Sequence, residues 1–358
     1  MSTGSPALTT SARRRGRRGL IGTLLARVLL IGACVASLFP AVWVVAASFS
    51  AGTSLYSGGL IPARTTARNY LQLFIRGDAA AWFARNGHTF VPATLALVAL
   101  AVGLGMLWRR RERIRQARLR ALALGTLTAG LLIAARLVWG CLDRTDFLLW
   151  MTNSLIVCIP ASLLSLSLTV TMAYAFSRFR FAGRRFGLLV LILMQMFPAI
   201  MSIVAIFRLL QIVGLLDKHI GLILVYGGSS IAFSAWLLKG YLDSIPRDLE
   251  EAAYIDGATR WQAFTLIAFP LATPMLAVVF LFSFIGFYQE FLIASIVLFR
   301  PELRTIALGL RFYISARYAE NWTGFAAASI VASLPILVIF YVLQRYMVEG
   351  LTKGALRG

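Results

Sequence analysis

Three adjacent residues are candidates for chemistry because they are polar and lie inside an apolar segment. Tyr288, Gln289 and Glu290 occur in the stretch IGFYQEFLIAS. Polar side chains within membrane spans commonly mark a solute path. They also form hydrogen bonds between helices, here with Arg208 or with another chain, so both interpretations stay open. A second candidate patch, for which core packing is the alternative, comprises Gln195, Met196, Phe197 and Pro198.

The sequence lacks the patterns that are typical of an enzyme. It has no Gly-rich phosphate loop that ends in Lys and Ser or Thr, so we expect no nucleotide site in this chain. No paired carboxylates, histidine cluster or activated nucleophile is predicted at a membrane face, so we predict no catalytic residue. His88 and His219 are isolated, and the three cysteines have no metal-like spacing, so we predict no metal site.

The elements that carry these residues are predicted to be membrane helices. Hydrophobic residues make up 59% of the chain and charged residues 14%, with a mean hydropathy of +0.80. A soluble domain is about half apolar and about a quarter charged. Backbone polar groups in lipid must be satisfied locally, and no strand-period alternation suggests a barrel, so we predict an all-α helix bundle. The predicted spans lie near 24–49, 89–108, 119–140, 150–176, 186–212, 219–239, 269–299 and 323–344.

Basic residues fix the predicted orientation. With the N-terminus inside, most of the 35 Lys and Arg residues fall in segments that face the cytoplasm. The net charge of +21 is therefore explained by membrane orientation and anionic lipid rather than by nucleic acid. Both termini are predicted to be cytoplasmic.

One polar segment, 244–274, interrupts the apolar C-terminal half on the predicted cytoplasmic side. Ser244 and Pro246 are expected to begin a helix, and Gly257 is expected to end it in the left-handed conformation. Thr259 and Gln262 have the spacing of a capping box, which predicts a second helix. From capping and periodicity alone, an amphipathic loop that merely connects two spans explains the segment equally well.

The residues of this segment resemble a known family. The stretch EEAAYIDGATRWQAFTLIAFPLATP resembles the EAA loop of ABC-importer permease subunits, and NSLIV followed by AYAFSRFRFAGR resembles the start of the transport core in sugar permeases. The tail GLTKGALRG resembles that of maltose-type permease subunits. The resemblance implies that the transport core is a bundle of six membrane-spanning helices. The resemblance covers 24–75 and 147–358, so 76–146, which holds two extra predicted spans, departs from it.

The resemblance implies roles for several residues. In this family the EAA loop docks on a separate ATPase subunit, which implies an ATPase-coupling set of Glu251, Ala252, Ala253, Asp256 and Gly257. Sugar permeases often carry Trp-Asn-Asp/Glu where this chain has Tyr288-Gln289-Glu290, which makes these residues substrate-path candidates. The loop 300–324 is implied to reach towards the binding protein, although a solvated connector explains it equally well.

The resemblance also implies partners and a layout. The partners are a second permease subunit, an ABC ATPase dimer that holds ATP and Mg, an extracytoplasmic sugar-binding protein and membrane lipid, in a bacterial inner membrane. The implied substrate is a sugar, with maltose or malto-oligosaccharide first. The expected layout is a basic cytoplasmic N-terminus 1–23, a first span and outer loop 24–75, an inserted segment 76–146, a permease core 147–346 that contains the EAA loop 244–270, and a cytoplasmic tail 347–358.

Two other functions are weighed. An ion-coupled secondary carrier that acts without an ATPase would be expected to show paired repeats and midplane acids. The sequence has no clear repeat and one clear acid within a span, Glu290. A membrane enzyme is disfavoured by the absence of a catalytic pattern.

Overall fold

The computed structural model describes residues 9–54, 62, 64–75, 79–109, 129–130, 133, 145–196, 198–315 and 321–355. Within these residues the chain is almost entirely helical, which confirms the predicted all-α fold. In chain order the helices are α1 (Thr9–Ser48), α2 (Arg68–Phe74), α3 (Ala79–Arg109), α4 (Asp146–Arg178), α5 (Arg184–Gln195), α6 (Ala199–Ile212), α7 (His219–Ser229), α8 (Ile231–Ser244), α9 (Asp248–Ile255), α10 (Arg260–Ala263), α11 (Phe269–Gln289), α12 (Leu292–Val297), α13 (Ile306–Ile314) and α14 (Trp322–Ala355).

Six segments of the described chain are candidates for the six membrane spans of the predicted core. Four are helices long and apolar enough to cross a membrane: Ala26–Ser48, Asp146–Arg178, Arg260–Gln289 and Trp322–Met347. Two more are pairs of helices that meet at a bend, of 98° between α5 and α6 and of 44° between α7 and α8. The first bend lies at Pro198, as expected from a residue that has no backbone N–H to donate.

The two extra predicted spans have different outcomes. Helix α3 covers the predicted span 89–108, but it is not one of the described helices that are both long and apolar enough to cross a membrane. Its crossing of the membrane therefore stays a prediction. The predicted span 119–140 lies almost entirely outside the described residues.

Helix α4 is the central helix of the bundle and contacts α7, α8 and α11. Its buried face is rich in small residues, which let the neighbouring helices approach closely. Gly227 of α7 illustrates this close approach, because a Cβ atom there would lie 2.6 Å from the Leu164 side chain. Hydroxyl groups link the same helices, since Ser165 Oγ lies 2.6 Å from Ser230 Oγ.

The outer loop 300–324 is partly a packed element rather than a solvated connector. It contains helix α13, in which Ile306 and Leu308 are buried. Asn153 Nδ2 donates to the carbonyl oxygens of Glu302 and Arg304 at 2.7 and 3.0 Å. Of the two interpretations that the sequence left open, a solvated connector does not fit 304–315, because α4 supplies partners for this backbone. Residues 316–320 lie outside the described residues.

An ion pair joins two outer connections. Asp217, between α6 and α7, accepts hydrogen bonds from the backbone N–H groups of Phe299 and Arg300 at 2.9 and 3.1 Å and from Arg300 Nε at 2.6 Å. Burial alone would raise the pKa of Asp217, but the hydrogen bonds and positive charge of Arg300 outweigh it and lower the pKa below 3.8. The pair therefore fixes the beginning of α7 against the end of α12.

The first and last helices pack against each other at the edge of the bundle. Helix α1 makes its main contacts with α14, and most of its side chains in 26–48 are exposed. Near its end, Thr323 Oγ1 donates to the Gly52 carbonyl at 2.6 Å. Helix α14 continues to Ala355 and so includes most of the segment predicted as a cytoplasmic tail.

Candidate functional site

The polar segment on the predicted cytoplasmic side forms two short helices joined by a tight turn. The first, α9, begins at Asp248 rather than at Pro246. Ser244 is the last residue of α8, and its Oγ donates to the Tyr241 carbonyl at 2.7 Å. The predicted Ser244 cap was therefore wrong, because this hydroxyl serves the preceding helix.

The turn at Gly257 confirms the predicted helix stop. Gly257 has φ of 87°, in the left-handed region that favours glycine. Its N–H donates to the Tyr254 carbonyl at 3.1 Å, and the N–H of Ala258 donates to the Ala253 carbonyl at 2.9 Å. These bonds satisfy carbonyl groups that a helix end leaves free.

The second helix begins with the predicted capping box. The N–H of Gln262 donates to Thr259 Oγ1 at 3.3 Å, and the N–H of Thr259 donates to Gln262 Oε1 at 2.8 Å. A π-helical turn, Phe264–Ala268, then joins α10 to the membrane helix α11. Turns of this kind are rare in proteins, and those that do occur often lie at functional sites.

This element has two edges. The outward edge is exposed, and the inward edge, at Glu250, is buried against the rest of the protein. Glu251, Ala252, Asp256 and Gly257 are exposed, whereas Ala253 is half-buried. Ile255 is 87% exposed, which is unusual for a large apolar side chain on a polar element. Four of the five predicted coupling residues therefore lie where a partner could contact them.

A buried acidic residue that the sequence analysis did not single out lies on the inward edge. Glu250 is 3% exposed, and its carboxylate accepts hydrogen bonds from Tyr174 Oη at 2.7 Å and Arg178 Nε at 2.6 Å. Tyr174 and Arg178 are four residues apart on α4 and so lie on one helix face. The available signal was this pair within AYAFSR, together with the acidic residue that precedes EAA.

Aromatic rings complete the base of the element. The Tyr174 ring lies 4.7 Å from the Phe264 ring and 5.8 Å from the Phe179 ring, measured between centroids. Phe264 belongs to the π-helical turn, so the end of α4 contacts both the helix α9 and the start of the membrane helix.

The three substrate-path candidates do not lie together on one surface. Tyr288 is buried, and its Oη donates to the Ala332 carbonyl of α14 at 2.9 Å. Glu290 lies at a break between α11 and α12, where its carboxylate accepts from Tyr226 Oη at 2.6 Å and from the N–H of Ile293 at 2.8 Å. Gln289 is the exposed member of the set.

These contacts correct two predictions. The predicted span 269–299 ends at Gln289, because Glu290 has extended backbone geometry. The suggested pairing of Glu290 with Arg208 was wrong, since Arg208 donates to Gln211 Oε1 at 2.7 Å.

The second candidate patch lies at the 98° bend between α5 and α6. Gln195 and Met196 are exposed, and Phe197 lies outside the described residues. Gln195 lines a cleft of about 680 Å³ together with Ser202, Ser229 and mostly apolar side chains. This volume is within the range of about 300–1,000 Å³ that is common for ligand clefts.

Within the described ranges there is no group of three or more His, Cys, Asp or Glu side chains that could hold a metal ion.

Comparisons with known proteins give a consistent result. The family described as "Binding-protein-dependent transport system inner membrane component" matches residues 165–353. The "Maltodextrin transport system permease protein MdxG" of Bacillus subtilis (strain 168) is 38% identical over 216 residues, which cover 60% of this chain and 78% of that protein. The "Galactooligosaccharides transport system permease protein GanQ" of the same organism is 31% identical over 341 residues, which cover 95% of this chain and 98% of that protein.

A solved structure shares the fold. It is the "Crystal structure of a bacterial ABC transporter involved in the import of the acidic polysaccharide alginate", with a TM-score of 0.61 and 21% identity. The match covers 96% of this chain and 99% of that chain.

Proposed function

The chain belongs to the family of binding-protein-dependent transport system inner membrane components, and from this premise we propose that it is a permease subunit of an ATP-driven sugar importer. It forms half of a translocation pore and couples to a separate ATPase. We propose malto-oligosaccharides as the substrate, because a relative with 38% identity is a maltodextrin permease. A galacto-oligosaccharide is the competing sugar, since GanQ matches over 95% of the chain.

The observation that carries this proposal is the two-sided helix α9. Its outward edge presents Glu251, Ala252, Asp256 and Gly257, whereas its inward edge is anchored to α4 through Glu250. A helix that is fixed on one side and exposes small and acidic residues on the other is suited to contact a second protein and to pass on its movement. These residues are a mechanical coupling element, and none of them is catalytic.

The chemistry of ATP belongs to the partner in this proposal. This chain is a transport subunit that is not an enzyme, and ATP and Mg bind to the ATPase dimer. The other partners are a second permease subunit and an extracytoplasmic sugar-binding protein. Both termini lie in the cytoplasm, which is supported by the six candidate spans and by the basic residues near the cytoplasmic ends.

The contacts divide the substrate-path candidates into two groups. Tyr288 and Glu290 hold helices together, because both side chains bond to other parts of this chain. Gln289 is exposed at the end of α11, so it is the residue of the three that we propose to contact sugar. Gln195 in the cleft between α5, α6 and α7 is a second candidate contact.

Co-purification and reconstitution test the proposal. The detergent-solubilised chain is expected to bring an ATPase and a second permease with it, and Glu251→Lys and Gly257→Pro are expected to reduce this association. Glu302→Lys is a matched control, because Glu302 is an exposed acid in the outer loop rather than in α9. In proteoliposomes that also contain the binding protein and ATP, uptake of maltotriose rather than of a galacto-oligosaccharide is expected.

Two results would contradict the proposal. One is a chain that purifies without an ATPase and still moves solute into liposomes in the absence of ATP. The other is uptake of the galacto-oligosaccharide alone, which would retain the importer but reject the proposed substrate.

A further inference from the structure

The inward edge of α9 contains a buried ion pair that the docking of an ATPase does not require. The side chain of Glu250 is 4% exposed and that of Arg178 is 7% exposed, and Arg178 Nε lies 2.6 Å from Glu250 Oε1. Glu251, the next residue along the helix, is exposed. Two neighbouring acids therefore face opposite ways, one towards a partner and one into this protein.

Arg178 connects three elements at this position. Its Nε donates to Glu250 of α9, one terminal nitrogen donates to the Leu242 carbonyl at 3.0 Å, and the other donates to the Ile245 carbonyl at 3.2 Å. Both carbonyls lie at the end of α8, where the helix leaves carbonyl groups short of partners, although the Leu242 carbonyl also accepts from the N–H of Ile245 at 3.1 Å. A guanidinium group has planar, fixed donors, so these bonds fix direction as well as distance.

A second arginine reinforces the same junction. Arg247, which immediately precedes α9, donates to the Ser177 carbonyl at the end of α4 at 2.7 Å. Ser177 Oγ in turn donates to Asp243 of α8 at 2.6 Å. The last turns of α4 and α8 and the first turn of α9 are therefore joined by several bonds at one place.

The energetics favour a geometric role for the buried pair. Taking two charges out of water costs about as much as their attraction returns, so such a pair adds little net stability. Removing one partner is nevertheless costly, since it leaves the other charge buried and unpaired. The pair is thus better suited to hold α9 in one orientation than to stabilise the fold.

Besides the short chain connection back into α8, two routes can carry movement from α9 into the membrane. One is covalent and runs through the turn at Gly257, α10 and the π-helical turn into α11. The other runs through Glu250 and Arg178 into α4, which is the central helix of the bundle. Without the second route, Arg247 would still join the start of α9 to α4, but the helix itself would lose its Glu250 bonds and would turn more freely against α4.

We propose that Glu250 and Arg178 are positioning residues that make α9 move as one body with the cytoplasmic ends of α4 and α8, so that ATP-driven movement reaches α4 directly. This inference rests on the proposed function. It assigns to Glu250 a role distinct from that of Glu251, which contacts the ATPase.

Adjacent substitutions distinguish the two roles. In the reconstituted complex, hydrolysis per bound ATPase is measured with and without the sugar-loaded binding protein. Glu250→Ala is expected to retain the ATPase subunit but to lose about tenfold of the stimulation by the binding protein, within the range of coupling energies between sites. Glu251→Ala is the matched control and is expected to weaken the association itself. Glu250→Gln keeps one acceptor oxygen for Arg178, and its amide N–H can donate to the Tyr174 hydroxyl, so it is expected to lose less stimulation than Glu250→Ala.

A double substitution separates positioning from loss of folding. Arg178→Gln alone leaves a buried carboxylate without its cation, whereas Arg178→Gln with Glu250→Gln restores a neutral hydrogen-bonded pair. The double variant is expected to recover stimulation relative to Arg178→Gln alone, because residues that act as one unit are not additive. This comparison holds even where Glu250→Ala fails to accumulate in the membrane.

Distinct outcomes would overturn the inference. Wild-type stimulation in Glu250→Ala would show that the second route is unnecessary. Loss of the ATPase subunit in Glu250→Ala as in Glu251→Ala would make Glu250 part of the docking surface. Additive effects in the double variant would show that the two residues act independently and do not position α9 as a pair. Failure of the proposed function is recognised separately, because the unsubstituted chain would then not retain an ATPase.

Discussion

Substitutions at Gly257 test whether the conformation of the turn between α9 and α10 carries the coupling. Gly257 has φ of 87°, and a Cβ atom added there would meet no other atom within 4 Å. Any effect of Gly257→Ala within this chain therefore comes from backbone strain and not from a clash. Asparagine tolerates the left-handed conformation better than other residues, and proline cannot adopt it at all.

The expected energies follow from these contacts. Gly257→Ala should lower the free energy of unfolding by about 1–2 kcal/mol, which is the cost of the left-handed conformation for an ordinary residue. Gly257→Asn should cost less than about 1 kcal/mol. Gly257→Pro cannot keep the turn and also loses the N–H that donates to the Tyr254 carbonyl at 3.1 Å, so it should cost about 3 kcal/mol or more.

The assay combines an unfolding midpoint in detergent with hydrolysis stimulated by the binding protein in proteoliposomes. The unfolding midpoint and the stimulated hydrolysis should both be highest in Gly257→Asn, lower in Gly257→Ala and lowest in Gly257→Pro. Gly183→Ala is the matched control, since Gly183 has φ of 83°, has open space around its Cβ position and lies in another connection on the same side. It should lower the midpoint as much as Gly257→Ala and leave stimulation unchanged.

The reasoning would be refuted if Gly257→Asn abolished stimulation as completely as Gly257→Pro. The partner would then sense the absence of any side chain at this position rather than the turn. Loss of stimulation in Gly183→Ala would also count against it, because general instability would then explain the effect.

Three further predictions concern other contacts. Tyr174→Phe removes a donor 2.7 Å from the buried carboxylate and should lower the free energy of unfolding by about 1.5–3 kcal/mol, as measured by denaturation in detergent. Tyr241→Phe is its control and should change it by less than about 0.5 kcal/mol, since that hydroxyl lies 3.4 Å from its acceptor. Because the pKa of Asp217 is lowered in the folded protein, its stabilising contribution is present above 3.8 and is lost as the pH falls further. The unfolding midpoint should therefore drop more steeply below this pH than in Asp217→Asn, and equal slopes would contradict the prediction. Gly309→Ala places a Cβ 2.1 Å from an indole ring and should cost about 1–3 kcal/mol, whereas Gly286→Ala has open space and should not lower the midpoint.

The sequence predicted those features of the site that depend on local chemistry. The glycine stop at Gly257 and the capping box of Thr259 and Gln262 were predicted because a few neighbouring residues determine them. Six of the eight predicted spans correspond to candidate spans of the described structure, because about 20 mostly apolar residues are needed to cross a membrane and the sequence shows such runs directly.

Features that depend on distant partners were not predicted. By sequence, Glu250 is one of three acidic residues in the first turn of a helix. The neighbouring residues do not indicate that it bonds to Tyr174, which lies 76 residues earlier. Glu290 lies in a long apolar run that predicts a continuous helix, but its bond to Tyr226, 64 residues away, accompanies a break. Ser244 is a good capping residue by type, yet it belongs to the end of the preceding helix.

The pairing of α1 with α14 has a consequence for how the protein is made. Helix α1 is synthesised before its main partner α14, so it must stay in the bilayer without that partner while the chain between them is made. Until then its exposed apolar side chains are covered by lipid alone. A chain that stops before Trp322 also lacks the hydroxyl of Thr323 that holds the segment after α1. Synthesis of α14 is therefore the step that gives α1 its main helical contact.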